Sequence, residues 1–370
     1  MDKTQTVFFD FLKFCVGSST SVPSSLTEAD WKALFQMACK QALIGVLFDG
    51  LQRYVRNMYS DNGGKPGKEL ILRWYAAYEQ IRKQNERMND SCVWASRKFE
   101  HAGFRNCILK GQGLALLYPD PMSRMPGDID IWLAGGRRKI IDYVNRLCPG
   151  QVERYHHIDC PVIPGVPMEV HITPSYMYSP WRNRKMQKWF HSMVDGQCAN
   201  RVMLPDDAGE ISVPTVSFNM VFILSHLYRH LFSEGIGFRQ LMDYYFVLRQ
   251  KVSLEDHDTV IRTIKNLGMK RFAQGVMYVL GTAFGLEKQY MLFDENERDG
   301  RFLLEEVMKG GNFGQYDDRL GSKAGETISH RYFRMSRRNL RFVNRYPSEA
   351  LCEPLFRTNF FLWKKWKGLK

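Results

Sequence analysis

The sequence predicts an α+β fold, in which a small mixed β-sheet is flanked by N-terminal and C-terminal helical regions. Apolar residues recur at spacings of three and four through the first hundred residues and again beyond about residue 217, a pattern typical of amphipathic helices. Between these regions, short apolar runs and helical segments follow the order β-α-β-α-β-β, which indicates a small sheet with helices on one side. We therefore predict three parts: a helical region at 1–103, a core at 104–205 and a second helical region at 206–370.

The N-terminal region is expected to contain a long helix. Its first helical pattern has a plausible N-cap at Ser25 or Thr27, with acidic residues close behind. Residues 62–69, which read NGGKPGKE, predict a turn or loop. A longer pattern from about Glu69 to Phe99 follows, and Gly103 is expected to cap its C-terminus.

The core is expected to supply all four strands of the predicted sheet. The helices lie within GLALLYPD and GGRRKIIDYVNRLC, and the strands within RNCILK, DIDIWL, VERYHHIDCPV and PMEVHIT. The last two strands are joined by IPGV, so we expect them to pair in an antiparallel sense.

The composition is that of a soluble globular protein. Of the 370 residues, 44% are hydrophobic and 25% are charged, close to the average for proteins that bury a core. The eight cysteines include no C-x-x-C pair, which argues against a zinc ribbon or a thioredoxin-type motif and favours a reducing, cytoplasmic setting. Asp10 and Lys13 interrupt the first apolar run, so we expect neither a signal peptide nor a membrane span.

The C-terminal tail is basic and rich in aromatic residues. The formal net charge is +13, and residues 331–370 carry seven Arg and four Lys against two Glu. Such a segment is able to bind a polyanion or an anionic membrane surface. The alternative, which we favour, is an amphipathic helical layer that buries its aromatic residues and exposes its charges.

Two aspartates interrupt the apolar strand GDIDIW. Side chains alternate along a strand, so Asp128 and Asp130 point the same way with Cα atoms about 6.5–7 Å apart. Two carboxylates on one face repel each other unless a positive group joins them, and oxygen ligands of this kind suit Mg²⁺ or Mn²⁺. The alternative is that the pair forms a solvated edge of the sheet.

The residues around the two aspartates favour the metal. Lys110, Gly111, Gln112 and Gly113 lie at a strand-to-helix junction, where backbone N–H groups and a lysine are suited to phosphate. If the strand that carries Glu169 lies beside the first, a third carboxylate joins the pair and two ions about 3.5–4 Å apart can be held. Arg124 precedes the strand and is predicted to contact phosphate oxygens.

These motifs resemble the nucleotidyltransferase superfamily, which includes DNA polymerase beta and the aminoglycoside nucleotidyltransferases. LKGQGLALLYPDPMSRMPGDIDIWL and MEVHIT are most similar to a bacterial branch usually labelled uncharacterised nucleotidyltransferase, as is SHLYRHLFSEGIGFRQLMDYYFVL. The resemblance covers roughly residues 34–346 and implies the nucleotidyltransferase fold, two Mg²⁺ ions and an NTP donor. The wider superfamily favours Gly-Ser at the turn, where this chain has Gly111-Gln112-Gly113.

Several polar residues outside the acidic motif have open roles. His171 shares a face with Glu169, so it either orients that acid, contacts acceptor or phosphate, or is structural. The resemblance favours a place in the cleft for Arg239, which otherwise pairs with Asp243 on a helix surface. His226 and His230 are interpreted as structural or pocket-lining, and the pair 156–157 as strand surface.

The sequence thus predicts a metal-dependent nucleotidyltransferase that moves an NMP from an NTP to an acceptor hydroxyl and releases pyrophosphate. Asp128, Asp130 and Glu169 are the predicted catalytic metal ligands. One alternative is a catalytically silent nucleotide-binding or toxin–antitoxin-type regulatory module. A nucleic-acid-modifying enzyme, suggested by the basic tail, ranks last because no RNA- or DNA-reading module is recognisable.

Overall fold

The computed structural model describes residues 2–21, 26–57, 64–317, 319 and 326–366. Its four-stranded sheet is formed by β1 (Asn106–Ile108), β2 (Ile129–Leu133), β3 (His157–Asp159) and β4 (Met168–His171). The strand order is β1-β2-β4-β3, with β2 and β4 parallel and both outer pairs antiparallel. The predicted mixed sheet, the β-α-β-α-β-β order and the antiparallel pairing of the last two strands are confirmed.

Helices make up most of the remaining chain, as the α+β prediction requires. Before the sheet lie α1 (Lys3–Cys15), α2 (Glu28–Gln41), α3 (Ile44–Asn57) and α4 (Lys68–His101), and within it lie α5 (Gln112–Ala115) and α6 (Arg137–Leu147). After it come α7 (Pro180–Ala199), α8 (Val216–Ser233), α9 (Phe238–Leu248), α10 (Leu254–Asn266), α11 (Lys270–Phe284), α12 (Glu297–Gly310), α13 (Ile328–Leu340) and α14 (Pro347–Trp366).

One small sheet has no counterpart in the sequence predictions. Strands β5 (Arg201–Met203) and β6 (Glu210–Ser212) pair antiparallel across the predicted boundary at residue 205. Short 3₁₀ turns complete the regular structure at Pro121–Ser123, Pro205–Asp207, Lys288–Tyr290 and Asn312–Gly314.

The expected signals at the ends of the helices are present. Thr27 caps α2 and forms a capping box with Asp30, whereas Ser25 and residues 62–63 of the predicted loop lie outside the described residues. Helix α4 ends as expected, because Gly103 adopts a φ of +78° that a side chain would disfavour. The N–H of Phe104 then bonds back to the carbonyl of Phe99 at 2.9 Å.

Two hydrophobic cores hold the elements together. The smaller core lies behind the sheet, where α4 and α6 cover residues such as Ile131 and Val170. The larger core joins helices from both ends of the chain and reaches the front of the sheet at Trp132, which packs on Phe190 and Phe218. The division into parts at 1–103, 104–205 and 206–370 remains a prediction.

The basic tail is only partly the amphipathic layer that we favoured. Phe342 and Tyr346 are buried in the larger core, but Phe333 and Trp366 are mostly exposed. All eight cysteines are free, and five of them are buried. None of the helices in the described ranges combines the length and apolarity that a bilayer crossing requires.

Candidate functional site

The three predicted carboxylates converge at the front of the sheet. Asp130 and Glu169 are direct partners in the parallel pairing of β2 with β4, and Asp128 lies just before β2. One oxygen from each carboxylate lies within 4.8 Å of the others. The expected neighbourhood of the two strands is therefore confirmed, and it brings together three side chains that suit a hard divalent cation.

Asp130 is the anchored member of the group. It is 3% exposed, and Lys110 Nζ lies 2.8 Å from its Oδ2 while His171 Nε2 lies 2.7 Å from its Oδ1. Burial alone would raise the pKa of Asp130, but the charges and hydrogen bonds of Lys110 and His171 hold it well below its usual value. Asp130 is therefore ionised, with a positive partner on each side.

Asp128 lacks such compensation. The neighbouring charge of Asp130 is the main cause that raises the pKa of Asp128, and burial adds to it, with Lys110 opposing them. A carboxylate whose ionised form is disfavoured by other carboxylates is relieved when a cation joins the group. The donor set, all oxygen and tightly spaced, therefore fits Mg²⁺ or Mn²⁺.

Glu169 is the more accessible acid, with its side chain 27% exposed. Its Oε2 lies 3.3 Å from His171 Nε2 and 3.0 Å from His157 Nδ1. Burial would raise the pKa of Glu169, but the hydrogen bond from His171 lowers it. Burial lowers the pKa of His171, yet its bond to Asp130 outweighs this and raises it to about 9. His171 thus links two of the three acids.

The predicted phosphate loop has the expected position but a smaller helix than expected. Gly111 adopts a φ of +60° and opens α5, which spans four residues only, so little helix dipole is available there. The Gln112 side chain turns away from the cleft and donates to Asn85 and Asn89 of α4. Backbone N–H groups of the loop remain the candidate phosphate donors, and this role stays a prediction.

Gly113 is explained by packing. A Cβ atom placed on this residue would lie 2.6 Å from Val213 Cγ1, closer than side chains approach each other. The sequence reasoning assigned this glycine to phosphate binding because it falls in the loop pattern. Its contact with a residue a hundred positions later is visible only in the fold.

The guanidinium group of Arg124 is already paired with a carboxylate. Its Nε and Nη2 donate to the two carboxylate oxygens of Asp243 at 2.7 and 2.8 Å, and Tyr118 Oη donates to the same carboxylate at 2.7 Å. Asp243 therefore pairs with Arg124, and not with Arg239 on a helix surface as the alternative had it. Phosphate binding by Arg124 remains a prediction.

Arg239 lies at the cleft, on the N-terminal turn of α9. Its Nη1 donates to the carbonyls of Met125 and Pro126 at 3.2 and 3.3 Å, and its guanidinium lies 5.4 Å from the ring of Phe313. Burial lowers the pKa of Arg239, and the charge of Arg124 adds to this. A buried cation beside the acidic group is well placed for a polyanionic substrate.

Histidines form the other wall of the site, and one interpretation of them was wrong. His156 and His157 were expected on the strand surface, but both are buried. Arg229 of α8 and Tyr176 after β4 contact His156, and the ring of His157 packs on His171. Burial, together with the charge of His171, lowers the pKa of His157 to about 3. His226 lines the cleft, with Nε2 3.4 Å from Lys110 Nζ, in agreement with the expected pocket-lining role.

The cleft in front of the acids is narrow, with about 30 Å³ of open volume. Phe313, which adopts a positive φ of 50°, contributes to its lining beside Arg239. The lining residues are Lys110, Gly111, Arg124, Gly127, Asp128, Asp130, Ile223, His226, Arg239, Gln240, Asp243 and Phe313.

Comparison with known proteins gives one extensive match. Residues 27–285 match the sequence profile of a family described as uncharacterised nucleotidyltransferase. No curated protein matches the chain. Among solved structures, it is similar to the crystal structure of an antigenic nucleotidyltransferase-like protein from Paracoccidioides brasiliensis, at 14% identity, with 60% of this chain and 97% of that chain covered. The TM-score is 0.32, too low to carry a structural argument.

Proposed function

Because the chain belongs to the uncharacterised nucleotidyltransferase family, we propose that it is a metal-dependent enzyme that transfers an NMP from an NTP to an acceptor hydroxyl. Pyrophosphate is the leaving group. The observation that carries the proposal is the convergence of Asp128, Asp130 and Glu169, whose carboxylate oxygens lie within 4.8 Å of one another. The acceptor is a hydroxyl on a small molecule, a sugar or a protein side chain.

The three acids would hold the metal ions. Divalent cations bound there supply charge neutralisation for the triphosphate and for the pyrophosphate that leaves. Asp130 lies on β2 with Asp128 just before it, and Glu169 lies on the parallel strand β4. Glu169 is more accessible than Asp130, and the hydrogen bond from His171 lowers the pKa of Glu169, so we assign to its Oε atoms the proton of the attacking hydroxyl.

The cationic side of the cleft would receive the triphosphate. Lys110 contacts Asp130 and His226, and Arg239 contacts two backbone carbonyls next to Gly127. Arg239 has no carboxylate partner among its hydrogen bonds to the described residues, so it retains attraction for phosphate oxygens, whereas Lys110 is shared with Asp130. Both side chains line the cleft in front of the acids, which favours a triphosphate there.

The test is transfer from NTPs that carry the label at different phosphates. Protein, Mg²⁺ and cell extract are incubated with each of the four NTPs labelled at the α or the γ phosphate. We expect label from the α position to enter an acceptor and label from the γ position to leave as pyrophosphate. Asp128→Asn and Asp130→Asn should abolish transfer, whereas Asp142→Asn, an exposed acid on α6, should not.

Three results would count against the proposal. Transfer that persists in both variants would separate the chemistry from the acids. Transfer of the γ label would make the protein a phosphoryl-transfer enzyme. Tight NTP binding with no transfer to any acceptor would favour the catalytically silent module.

A further inference from the structure

The front of the sheet carries a second cluster of ligand-type side chains beside the carboxylates. In the antiparallel pairing of β3 with β4, His157 lies opposite His171 and Asp159 lies opposite Glu169. Residues two apart on a strand share a face, so all four side chains are on the face that also carries Asp130. The imidazoles of His157 and His171 thus flank Glu169, which also belongs to the group of three carboxylates.

The distances within this cluster suit one ion. His157 Nδ1 lies 3.0 Å from Glu169 Oε2, and His171 Nε2 lies 3.3 Å from the same oxygen. One ligand atom from each of the three residues lies within 4.8 Å of the others. The two separations from Glu169 Oε2 match those between neighbouring ligands of one ion at ordinary metal–nitrogen and metal–oxygen lengths of about 2.0–2.2 Å.

The outer nitrogens of both rings lie near oxygen atoms of the kind that orient metal-bound histidines. His171 Nδ1 lies 3.4 Å from the carbonyl oxygen of Thr173, which leaves Nε2 directed at Glu169. His157 Nε2 lies 3.6 Å from Asp159 Oδ1, beyond hydrogen-bond length, and has no hydrogen-bond partner among the residues that the structure describes. A ligating histidine commonly directs its other nitrogen at a carboxylate or a backbone carbonyl, so we expect the Asp159 contact to shorten when an ion binds.

We propose that His157, Glu169 and His171 form a second metal site, which takes a divalent ion that accepts imidazole ligands, such as Zn²⁺ or, less strongly, Mn²⁺, more readily than Mg²⁺. The site shares Glu169 with the carboxylate group proposed for catalysis, so the two ions are chemically different. Imidazole nitrogen discriminates against Mg²⁺, which prefers oxygen ligands. The site does not depend on nucleotidyl transfer, because it is defined by ligands and not by a substrate.

The competing arrangement is that no ion binds there. His171 Nε2 also lies 2.7 Å from Asp130 Oδ1, so its proton is able to bridge Asp130 and Glu169 in place of a cation. The two arrangements differ in one observable: nitrogen coordination to a bound ion. They therefore call for a measurement that detects nitrogen directly.

Mn²⁺ provides this probe. The full chain is loaded with Mn²⁺ in excess Mg²⁺, the bound Mn²⁺ is counted by equilibrium dialysis, and electron spin echo modulation reports ¹⁴N next to the ion. We expect one Mn²⁺ that Mg²⁺ does not displace, with ¹⁴N modulation. Asp128→Asn should leave this ion in place, because Asp128 belongs to the oxygen-only group.

Variants of the cluster sharpen the result. His157→Phe should weaken the Mg²⁺-resistant site by about 100-fold or more, because loss of an outer partner alone costs about 10–100-fold. Asp159→Asn should weaken it by about 10-fold through the orientation of His157. His191→Phe, which changes an exposed histidine on α7, is the matched control and should have no effect.

The proposal is overturned if Mg²⁺ displaces all bound Mn²⁺ or if the bound ion shows no ¹⁴N modulation. It is also overturned if His157→Phe binds the Mg²⁺-resistant Mn²⁺ with unchanged affinity and unchanged ¹⁴N modulation. Circular dichroism of each variant checks that it is folded. An absence of NMP transfer would leave these results unaffected, so failure of the proposed function and failure of this site are distinguishable.

Discussion

The two faces of the four-stranded sheet differ in chemistry, because apolar and charged side chains alternate along the same short strands. The back face presents Ile129, Ile131 and Val170 to the smaller core, and each is almost fully buried. The front face presents Asp130 and Glu169, together with the histidines that touch them. Because a strand alternates its side chains, the apolar face anchors the strands and sets the register that brings the charges together. A change on the back face is thus expected to affect stability alone, whereas a change on the front face is expected to affect function as well.

The largest expected effect is at Asp130, where function and stability coincide. Asp130→Asn should lower transfer on the order of 10³-fold, the scale for loss of a group that stabilises charge in the transition state. It should also lower the free energy of unfolding by about 3–5 kcal/mol, because Lys110 and His171 would remain buried without their shared carboxylate. Denaturant unfolding measures the change in the free energy of unfolding, and the labelled-NTP assay measures the change in transfer. Unchanged stability would show that the front-face pairs are not structural.

A change on the back face should affect stability alone. Ile131→Ala removes buried volume from a residue with 0% exposure, so the free energy of unfolding should fall by about 3 kcal/mol. Mn²⁺ affinity of the folded protein, measured under native conditions, should stay within about twofold, since additivity holds for groups that share no partner. A large loss of metal affinity would mean that the faces are coupled.

Gly113→Ala distinguishes a packing role for Gly113 from a role in phosphate binding. The added methyl group meets Val213 Cγ1, and overpacking of this kind costs about 2 kcal/mol. Gly113→Ala combined with Val213→Ala should recover most of that loss and keep NTP affinity near that of the parent. If the double variant is stable but no longer binds NTP, Gly113 acts on phosphate, as the sequence pattern first indicated.

Asp128→Asn should have the smallest effect on stability, and in the opposite direction. The pKa of Asp128 is raised in the folded protein, so its ionised form opposes folding at pH 7 and the variant should be more stable without metal, by on the order of 1 kcal/mol. The gain should shrink as pH falls toward the unfolded pKa of about 3.9, where the carboxyl is protonated in both states. Thermal melts at several pH values would contradict this if the variant were less stable at pH 7.

Mn²⁺ should reverse the order of stability of the parent protein and the Asp128→Asn variant. The ion binds the folded parent and stabilises it by mass action, whereas Asp128→Asn has lost a ligand at the oxygen-only group. The parent should therefore gain more in melting temperature than the variant does. An equal gain in both would place the bound ion elsewhere.

The parts of the site that sequence reasoning predicted are those governed by local rules. Strand alternation was enough to align Asp128 with Asp130, and an apolar strand with one acid was enough to suggest Glu169. The expected β-α-β-α-β-β order then required only that β2 and β4 be neighbours. The first two inferences used residues within a few positions of one another, where geometry is fixed by the backbone, whereas the third used the order of the elements.

The parts that sequence reasoning missed depend on distant residues. Arg124 pairs with Asp243, and Gly113 contacts Val213, over separations at which no periodicity survives. His156 and His157 were placed on the surface because their cover, such as the contact of Arg229 of α8 with His156, is set by tertiary packing. The pairing of His157 with His171 across β3 and β4 was the available signal, since both histidines occupy the alternating positions of predicted neighbouring strands.

The most direct test of the central claim is a crystal structure with Mn²⁺ and a non-hydrolysable NTP, with anomalous diffraction to locate the ion. The account predicts Mn²⁺ bound by oxygens of Asp128, Asp130 and Glu169 at about 2.1–2.2 Å, with the triphosphate on its open side. An ordered nucleotide with no Mn²⁺ bound by Asp128 and Asp130 would contradict it.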